Sequence, residues 1–231
     1  MKRQTILSGY LLILAAIGFW VSWFLMPDPG TTDTAHILKI VKESRMSVLC
    51  SVIMQIAASI AYVFALFSFA QAWIPQRKIT WLGIALLGIG AMGMCADAFF
   101  HLLAWFMTDE SVTIQKDVVK VMDFMQTDAL IFLIPLLLAF FIGSILITIG
   151  LNKQGAISAI PKRILIIALS IGLLGAIIGE TFSITIPFLT LIVLGMFATG
   201  QALAGFELMK ASLRENYWLS FSGPRPLSKN N

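Results

Sequence analysis

The chain has 231 residues, of which 58% are hydrophobic and only 12% are charged, and its formal net charge is +4. A soluble domain of this size could not bury so much apolar surface, so the composition excludes an ordinary soluble enzyme and indicates a membrane protein. The basic residues form no patch with interleaved aromatics, which argues against a nucleic-acid partner. Two cysteines, Cys50 and Cys95, are too few for a disulfide framework.

Six apolar segments are each about 20 residues or longer, which is the length that crosses the roughly 30 Å hydrocarbon layer of a bilayer. They cover residues 5–26, 46–74, 79–107, 125–151, 161–185 and 186–209. The last two are separated only by a turn around Pro187, but a single helix across both would be too long for one crossing. We therefore predict an all-α integral membrane protein: a six-helix bundle over residues 1–219, followed by a disordered tail over residues 220–231.

The basic residues of the connections predict the orientation, because loops rich in Lys and Arg stay in the cytoplasm. Of the 16 Lys and Arg residues, eleven fall on the side that carries both ends of the chain and five on the other side. The tryptophans fall at the two predicted interfaces, with Trp20, Trp23 and Trp105 at the outer one. The pattern predicts a multi-pass membrane protein with both termini in the cytoplasm.

Two connections on the outer side show helical periodicity. The connection over residues 34–45 places Ile37, Leu38 and Val41 on one face, and Thr32 or Asp33 is positioned as its N-cap. The connection over residues 111–125 has an apolar face of four residues, Ile114, Val118, Val121 and Met125. We predict two short amphipathic helices on the outer face of the bundle, acting as interfacial lids or as a docking surface for a partner.

The third apolar segment carries two ionisable residues, Asp97 and His101, which lie four residues apart and so share a helix face. Ionisable groups within a membrane are costly and therefore indicate a functional site. Counting 1.5 Å per residue along the other segments brings further polar residues to a similar depth. We predict one outward-facing polar cavity formed by five residues, Gln55, Asp97, His101, Asp128 and Glu180.

Three uses of these residues remain open. They could form interhelical hydrogen bonds that fix the packing. They could bind or conduct a proton, a cation or an amphiphile. They could also hold a metal through Asp97, His101 and Glu180, with a bound water activated for hydrolysis. The sequence indicates no particular cofactor.

The leading hypothesis is a protein without enzymatic activity that binds or passes a small or amphiphilic ligand. An intramembrane metal-dependent hydrolase or redox subunit and a structural or assembly subunit of a membrane complex are the alternatives. The chain has no nucleophile elbow, phosphate loop or HExxH motif, which weighs against a familiar enzyme. Membrane lipids, a partner membrane protein and a second copy of the chain are the expected partners.

One further motif, G-x-G-x-x-G at Gly88, Gly90 and Gly93, matches the fingerprint of dinucleotide-binding proteins. That fingerprint requires a preceding strand and a βαβ unit, and this segment is a predicted membrane span. We therefore predict that these glycines allow helices to approach one another closely.

Part of the chain resembles a known family. The first span, ILSGYLLILAAIGFWVSWFLMP, is followed by TTDTAHILKIVKESRMSVLCSVIMQIAASIAYVFALFSF. This run is similar to the bacterial membrane proteins grouped as domain of unknown function 4386, which have an outer T-A-x-I helix ending in an arginine. Thr34, Ala35, Ile37 and Arg45 stand at the matching places. The stretch GSILITIGLNKQGAISAIPKR looks like an inner turn of the same family. The resemblance implies a six-span, multi-pass protein of a prokaryotic plasma (inner) membrane and brings no established activity or catalytic residue.

Overall fold

A computed structural model describes residues 2–29, 31, 33–73, 78–112, 115–182 and 188–221. These residues form eight α-helices and no strand. The helices are α1 (Lys2–Leu25), α2 (Thr34–Glu43), α3 (Arg45–Trp73), α4 (Lys78–Met107), α5 (Gln115–Gln126), α6 (Leu130–Lys153), α7 (Ile160–Phe182) and α8 (Leu189–Phe221).

Six of these helices, namely α1, α3, α4, α6, α7 and α8, are long and apolar enough to cross a membrane. This confirms the prediction of an all-helical chain with six spanning segments. Two boundaries differ from the predicted ones by five residues or more. Helix α6 begins at Leu130 rather than at Met125, because α5 continues to Gln126 and a turn follows it. Helix α8 continues to Phe221, past the predicted end of the last span at Met209, and the rest of the predicted tail lies outside the described residues.

The spanning helices are arranged as a ring. Each packs against the next spanning helix in the chain, and α8 returns to pack against α1. Aromatic side chains fill the centre of this ring. The ring of Phe140 on α6 lies 5.1 Å, between centroids, from both Phe19 on α1 and Tyr62 on α3, and 5.7 Å from Phe197 on α8. All four side chains are almost fully buried, so they tie four of the six helices together.

Two glycines bring α4 and α6 into backbone contact. A Cβ atom on Gly90 would lie 2.3 Å from the Cα atom of Phe140, and one on Gly143 would lie 2.4 Å from the backbone nitrogen of Leu87. No side chain fits into either space, so only glycine permits this approach. Gly90 and Gly93 of the motif therefore serve helix packing, as predicted. Gly88 differs from Gly90, because a Cβ atom there would be 3.8 Å from its nearest neighbour, on Leu66 of α3.

A buried polar network crosses the middle of the bundle. The hydroxyl of Tyr62 donates to Oε1 of Gln201, and Nε2 of Gln201 donates to Oγ of Ser144 at 2.7 Å. The Ser144 hydroxyl in turn donates to the carbonyl of Phe140 at 2.9 Å. These contacts satisfy polar groups that would otherwise be costly in the hydrocarbon layer. The network connects α3, α6 and α8, and Gln201 is therefore accounted for by packing.

The close approach of α4 and α6 makes a testable prediction. We expect Gly90→Ala to destabilise the protein by about 1–3 kcal/mol, because the new methyl group would overlap the backbone of Phe140. The midpoint of thermal unfolding in a fixed detergent measures this loss. Gly88→Ala is the matched control, since its methyl group fits at an ordinary contact distance. Equal midpoints for the two variants would contradict the packing described above.

Candidate functional site

Helices α2 and α5 lie together at the end of the bundle where α4 ends, and they contact α4 and each other. We call this pair the cap. Asp33 is the N-cap of α2: its Oδ1 atom accepts from the backbone N–H of His36 at 2.9 Å. The hydroxyl of Thr34 on α2 donates to Oδ1 of Asp123 on α5 at 2.8 Å, which joins the two short helices.

The cap buries an apolar face against the bundle. Ile37 and Val41 of α2 are buried, as their predicted face requires. On α5 the buried residues are Met122 and Met125, whereas Val121 is 45% exposed. The predicted face of α5 was therefore wrong at Val121, because contact with α2 and α4 turns the helix so that Met122 lies inward.

A cavity of about 280 Å³ lies beneath the cap. Its walls are mostly apolar and come from every described helix except α7. Val48 of α3, Leu133 of α6 and Thr190 of α8 are among the lining residues. The packing of α4 on α6 explains why there is space here. Gly93 of α4 faces Leu136 of α6. Because the two helices are antiparallel and α6 begins at Leu130, α6 covers α4 for only about two more turns beyond Gly93. Above that level α4 is covered by the cap.

Asp97 lies in the wall of this cavity. Gly83, Gly90, Asp97 and Ala104 recur every seven residues along α4 and are all buried. Seven residues make about two helical turns, so the four positions share one face of α4. The first two pack against α6, and the last two line the cavity. The same face thus supplies the helix contact and the carboxylate.

Gln55 of α3 holds the carboxylate of Asp97 in place. Its Nε2 atom donates to Oδ2 of Asp97 at 2.7 Å and to the carbonyl of Met94 at 3.2 Å. Both hydrogens of the amide are therefore used, and Gln55 lies behind Asp97 rather than in the cavity lining. Among the described residues, no hydrogen bond reaches Oδ1 of Asp97. That oxygen remains available to a ligand.

His101 lies one turn beyond Asp97, and its ring lines the same cavity. The ring packs at 88° to that of Trp23, with 5.9 Å between centroids. Its Nδ1 atom is buried and has no hydrogen-bond partner within the described part of the chain. Because an unpaired buried N–H is costly, a ring with one proton carries it on Nε2. His101 then offers a donor, and Asp97 offers an acceptor.

The other predicted site residues are placed differently. Asp128 is exposed in the turn between α5 and α6 and does not line the cavity. Glu180 belongs to α7 by its backbone, and its side chain lies outside the described part of the structure. The structure thus brings Gln55, Asp97 and His101 together and leaves Asp128 apart.

The described side chains contain no group of three or more His, Cys, Asp or Glu residues placed to hold a metal ion. The predicted trio of Asp97, His101 and Glu180 includes one side chain outside the described residues. A metal at this trio therefore stays a prediction, and no further metal ligand emerges near Asp97 from the described structure.

Arg45, at the start of α3, connects the neighbouring helix ends. Its guanidinium lies 4.4 Å from the ring centroid of Trp105 and donates to Asp109 at 2.9 Å. The hydroxyl and backbone N–H of Ser111 donate to the same carboxyl group, and these bonds hold the pKa of Asp109 below its ordinary value. Asp109 therefore stays anionic, and the charge of Arg45 is compensated outside the cavity lining.

The sequence did not reveal several of the lining residues. The sequence predicts that Trp23 lies at the outer interface. In the structure its ring also contacts His101 and lines the cavity. Phe100 and Leu133 also line it, and they stand in uniformly apolar segments. The distance of Trp23 from the end of its segment predicts its depth in the membrane. It does not predict which face of α1 the side chain is on.

Comparison with known proteins adds no relative: the chain matches no protein-family model, no curated protein and no solved structure. The resemblance to domain of unknown function 4386 stays a prediction.

The hydrogen bond between Gln55 and Asp97 can be tested by a double-mutant cycle. We expect Gln55→Leu and Asp97→Ala each to destabilise the protein, and the double variant to lose about 1–2 kcal/mol less than the sum of the two. Each single change leaves a buried polar group without its partner, and the double change removes both groups. Unfolding free energies in mixed micelles measure the coupling.

The matched control for this cycle pairs Gln55→Leu with Asp128→Ala. Asp128 is exposed, and no contact with Gln55 is described, so these two effects should add. Additive losses in the Gln55 and Asp97 pair would show that the bond contributes nothing to stability.

Proposed function

We propose that this chain is a polytopic protein of a prokaryotic plasma membrane that binds a small amphiphilic molecule in the cavity beneath the cap. We place both termini in the cytoplasm and the cap on the outer face, as the distribution of Lys and Arg favours. One observation carries the proposal: a mostly apolar cavity of about 280 Å³ has Asp97 and His101 in its wall.

The composition of the cavity favours a ligand that is partly apolar. Binding sites for small molecules are largely lined by apolar side chains, with a few polar groups that fix the orientation, and they measure about 300–1,000 Å³. This cavity, at about 280 Å³, lies just below that range, which favours a small ligand. The apolar part of the lining includes Val48, Leu133 and Leu137. The polar part offers a hydrogen-bond acceptor on Asp97 and a donor on His101. A small molecule with a polar head and a short apolar tail matches this distribution.

The state of Asp97 favours binding over a purely structural role. A carboxylate that only fixed the packing of α3 on α4 would be expected to have both oxygens satisfied by the protein, since unpaired buried groups are costly. Here Gln55 satisfies Oδ2 alone, although Asp97 is only 7% exposed. A ligand or water in the cavity could donate a hydrogen bond to the other oxygen, Oδ1.

A structural or assembly subunit is the second candidate, and the Gln55–Asp97 bond is the observation that favours it. That bond joins α3 to α4 and would stabilise the bundle whether or not the cavity is occupied. The two candidates differ in one respect: the structural role requires no occupant of the cavity.

Titration with 1-hexanol tests the binding function. We expect one molecule to bind saturably per chain, measured calorimetrically on the protein in lipid nanodiscs. Ala104→Phe should weaken this binding about tenfold or more, because Ala104 is buried, lines the cavity and would place a phenyl ring in it. Ala176→Phe is the matched control, since Ala176 is exposed on α7, which does not line the cavity.

Two results would overturn the binding function. One is the absence of saturable binding, above the partition into empty nanodiscs, both of hexanol and of six-carbon analogues with a charged head group. The other is equal binding to the Ala104→Phe and Ala176→Phe variants, which would place the bound molecule outside the cavity. Either result would leave the structural role as the better account of Asp97.

A further inference from the structure

We propose that the cavity selects a molecule with a positively charged head group, that is, a small organic ammonium ion with an apolar substituent. This inference rests on the proposed binding function and adds the charge of the ligand. It is carried by the charges that line the cavity, by the position of Asp97 and by two aromatic rings that line the same cavity.

Carboxylates outnumber basic side chains in the described lining of the cavity. Among the described residues that line it there are two carboxylates, Asp28 and Asp97, and one imidazole, His101, but no lysine and no arginine. Asp28 stands at the exposed mouth, where its Oδ2 atom lies 2.8 Å from Nε2 of His36. Asp97 lies deeper, ten residues before the end of α4, which corresponds to about 15 Å along the helix.

The cations of the cap do not compensate Asp97. Lys39 and Lys42 on α2 and Lys116 and Lys120 on α5 are exposed, and none of them lines the cavity. Arg45 lies closer to the bundle, but it is stacked on Trp105 and paired with Asp109. A ligand can therefore supply the positive charge that these side chains do not.

The energetics favour such a ligand. A carboxylate that is only 7% exposed loses most of its hydration, and leaving it without a counter-charge is strongly unfavourable. Gln55 offsets part of this cost through one neutral donor. An ammonium group beside Oδ1 would complete the ion pair in a region of low dielectric, where the attraction is stronger than in water.

Aromatic rings give the cavity a second means of attracting a cation. Trp23 and Phe100 both line it, and the ring of Trp23 packs against that of His101, one turn from Asp97. The face of an aromatic ring attracts ammonium groups, and indole does so most strongly. A carboxylate combined with aromatic rings distinguishes an alkylammonium ion from an alcohol or an anion with the same tail. The apolar residues Leu133 and Leu137 would then contact the substituent.

Three test molecules with the same six-carbon tail examine this selectivity: hexyltrimethylammonium, 1-hexanol and hexanesulfonate. We expect the ammonium ion to bind about tenfold more tightly than the alcohol, and the sulfonate more weakly than either. Calorimetric titration of the full chain in nanodiscs of uncharged lipid gives the three affinities. The readout is the ratio of the ammonium affinity to the alcohol affinity.

Variants assign this ratio to Asp97. Asp97→Asn should reduce the ratio to about one, because it removes the charge and keeps an acceptor. Asp97→Glu keeps the charge and should retain a clear preference for the ammonium ion. Asp128→Asn removes an exposed carboxylate that does not line the cavity, and the ratio should equal that of the unaltered protein.

The outcomes separate the two proposals. If hexanol binds saturably but the ammonium ion binds no more tightly, the charge selectivity is overturned and the binding function stands. If none of the three binds, the binding function itself is overturned. A preference that survives in Asp97→Asn would also overturn the assignment to Asp97. Should that variant fail to fold, the order of the three affinities in the unaltered chain still decides the question.

Discussion

The close packing of α4 on α6 is the constraint on which the site depends. Gly90 allows the backbone of Phe140 to approach α4, and this contact fixes how α4 is rotated in the bundle. Asp97 and Ala104 continue the same face, seven and fourteen residues further on. Once Gly90 is held against α6, Asp97 must point inward, where Gln55 can reach it. A rotation that turned Asp97 toward lipid would also lose the glycine contact.

The cavity arises because α4 extends beyond the end of α6, its packing partner. Helix α4 continues to Met107, whereas α6 begins at Leu130 and therefore leaves the last turns of α4 uncovered. The cap replaces α6 over the last turns of α4, through Ile37, Val41 and Met125 among others. Two short helices cannot fill this space as closely as a continuous helix would. The resulting void is mostly apolar because spanning helices and the inward face of the cap surround it.

The chemistry of the site follows from the carboxylate of Asp97, of which only one oxygen accepts a described hydrogen bond from the protein. Gln55 orients Asp97 and offsets some of its desolvation, but it leaves one oxygen free of described protein donors. The Tyr62, Gln201 and Ser144 network shows the contrast, because its groups bond to one another in the middle of the bundle. Proteins use fully connected networks of that kind for packing, while incompletely paired ionisable groups beside a cavity are typical of binding sites.

The sequence by itself determined the six spans, since the bilayer requires about 20 apolar residues for each crossing. It also placed Asp33 at the start of α2 and put Asp97 and His101 on one helix face, because both follow from local spacing. Only the tertiary structure paired Gln55 with Asp97, excluded Asp128 from the cavity and turned Met122 inward in place of Val121. These features depend on how each helix is rotated and how far its partner extends. The spanning helices are apolar on every face and carry no periodic signal that could specify either quantity. On α5, Val121 and Met122 are adjacent apolar residues, and the pattern alone does not decide which of them lies inward.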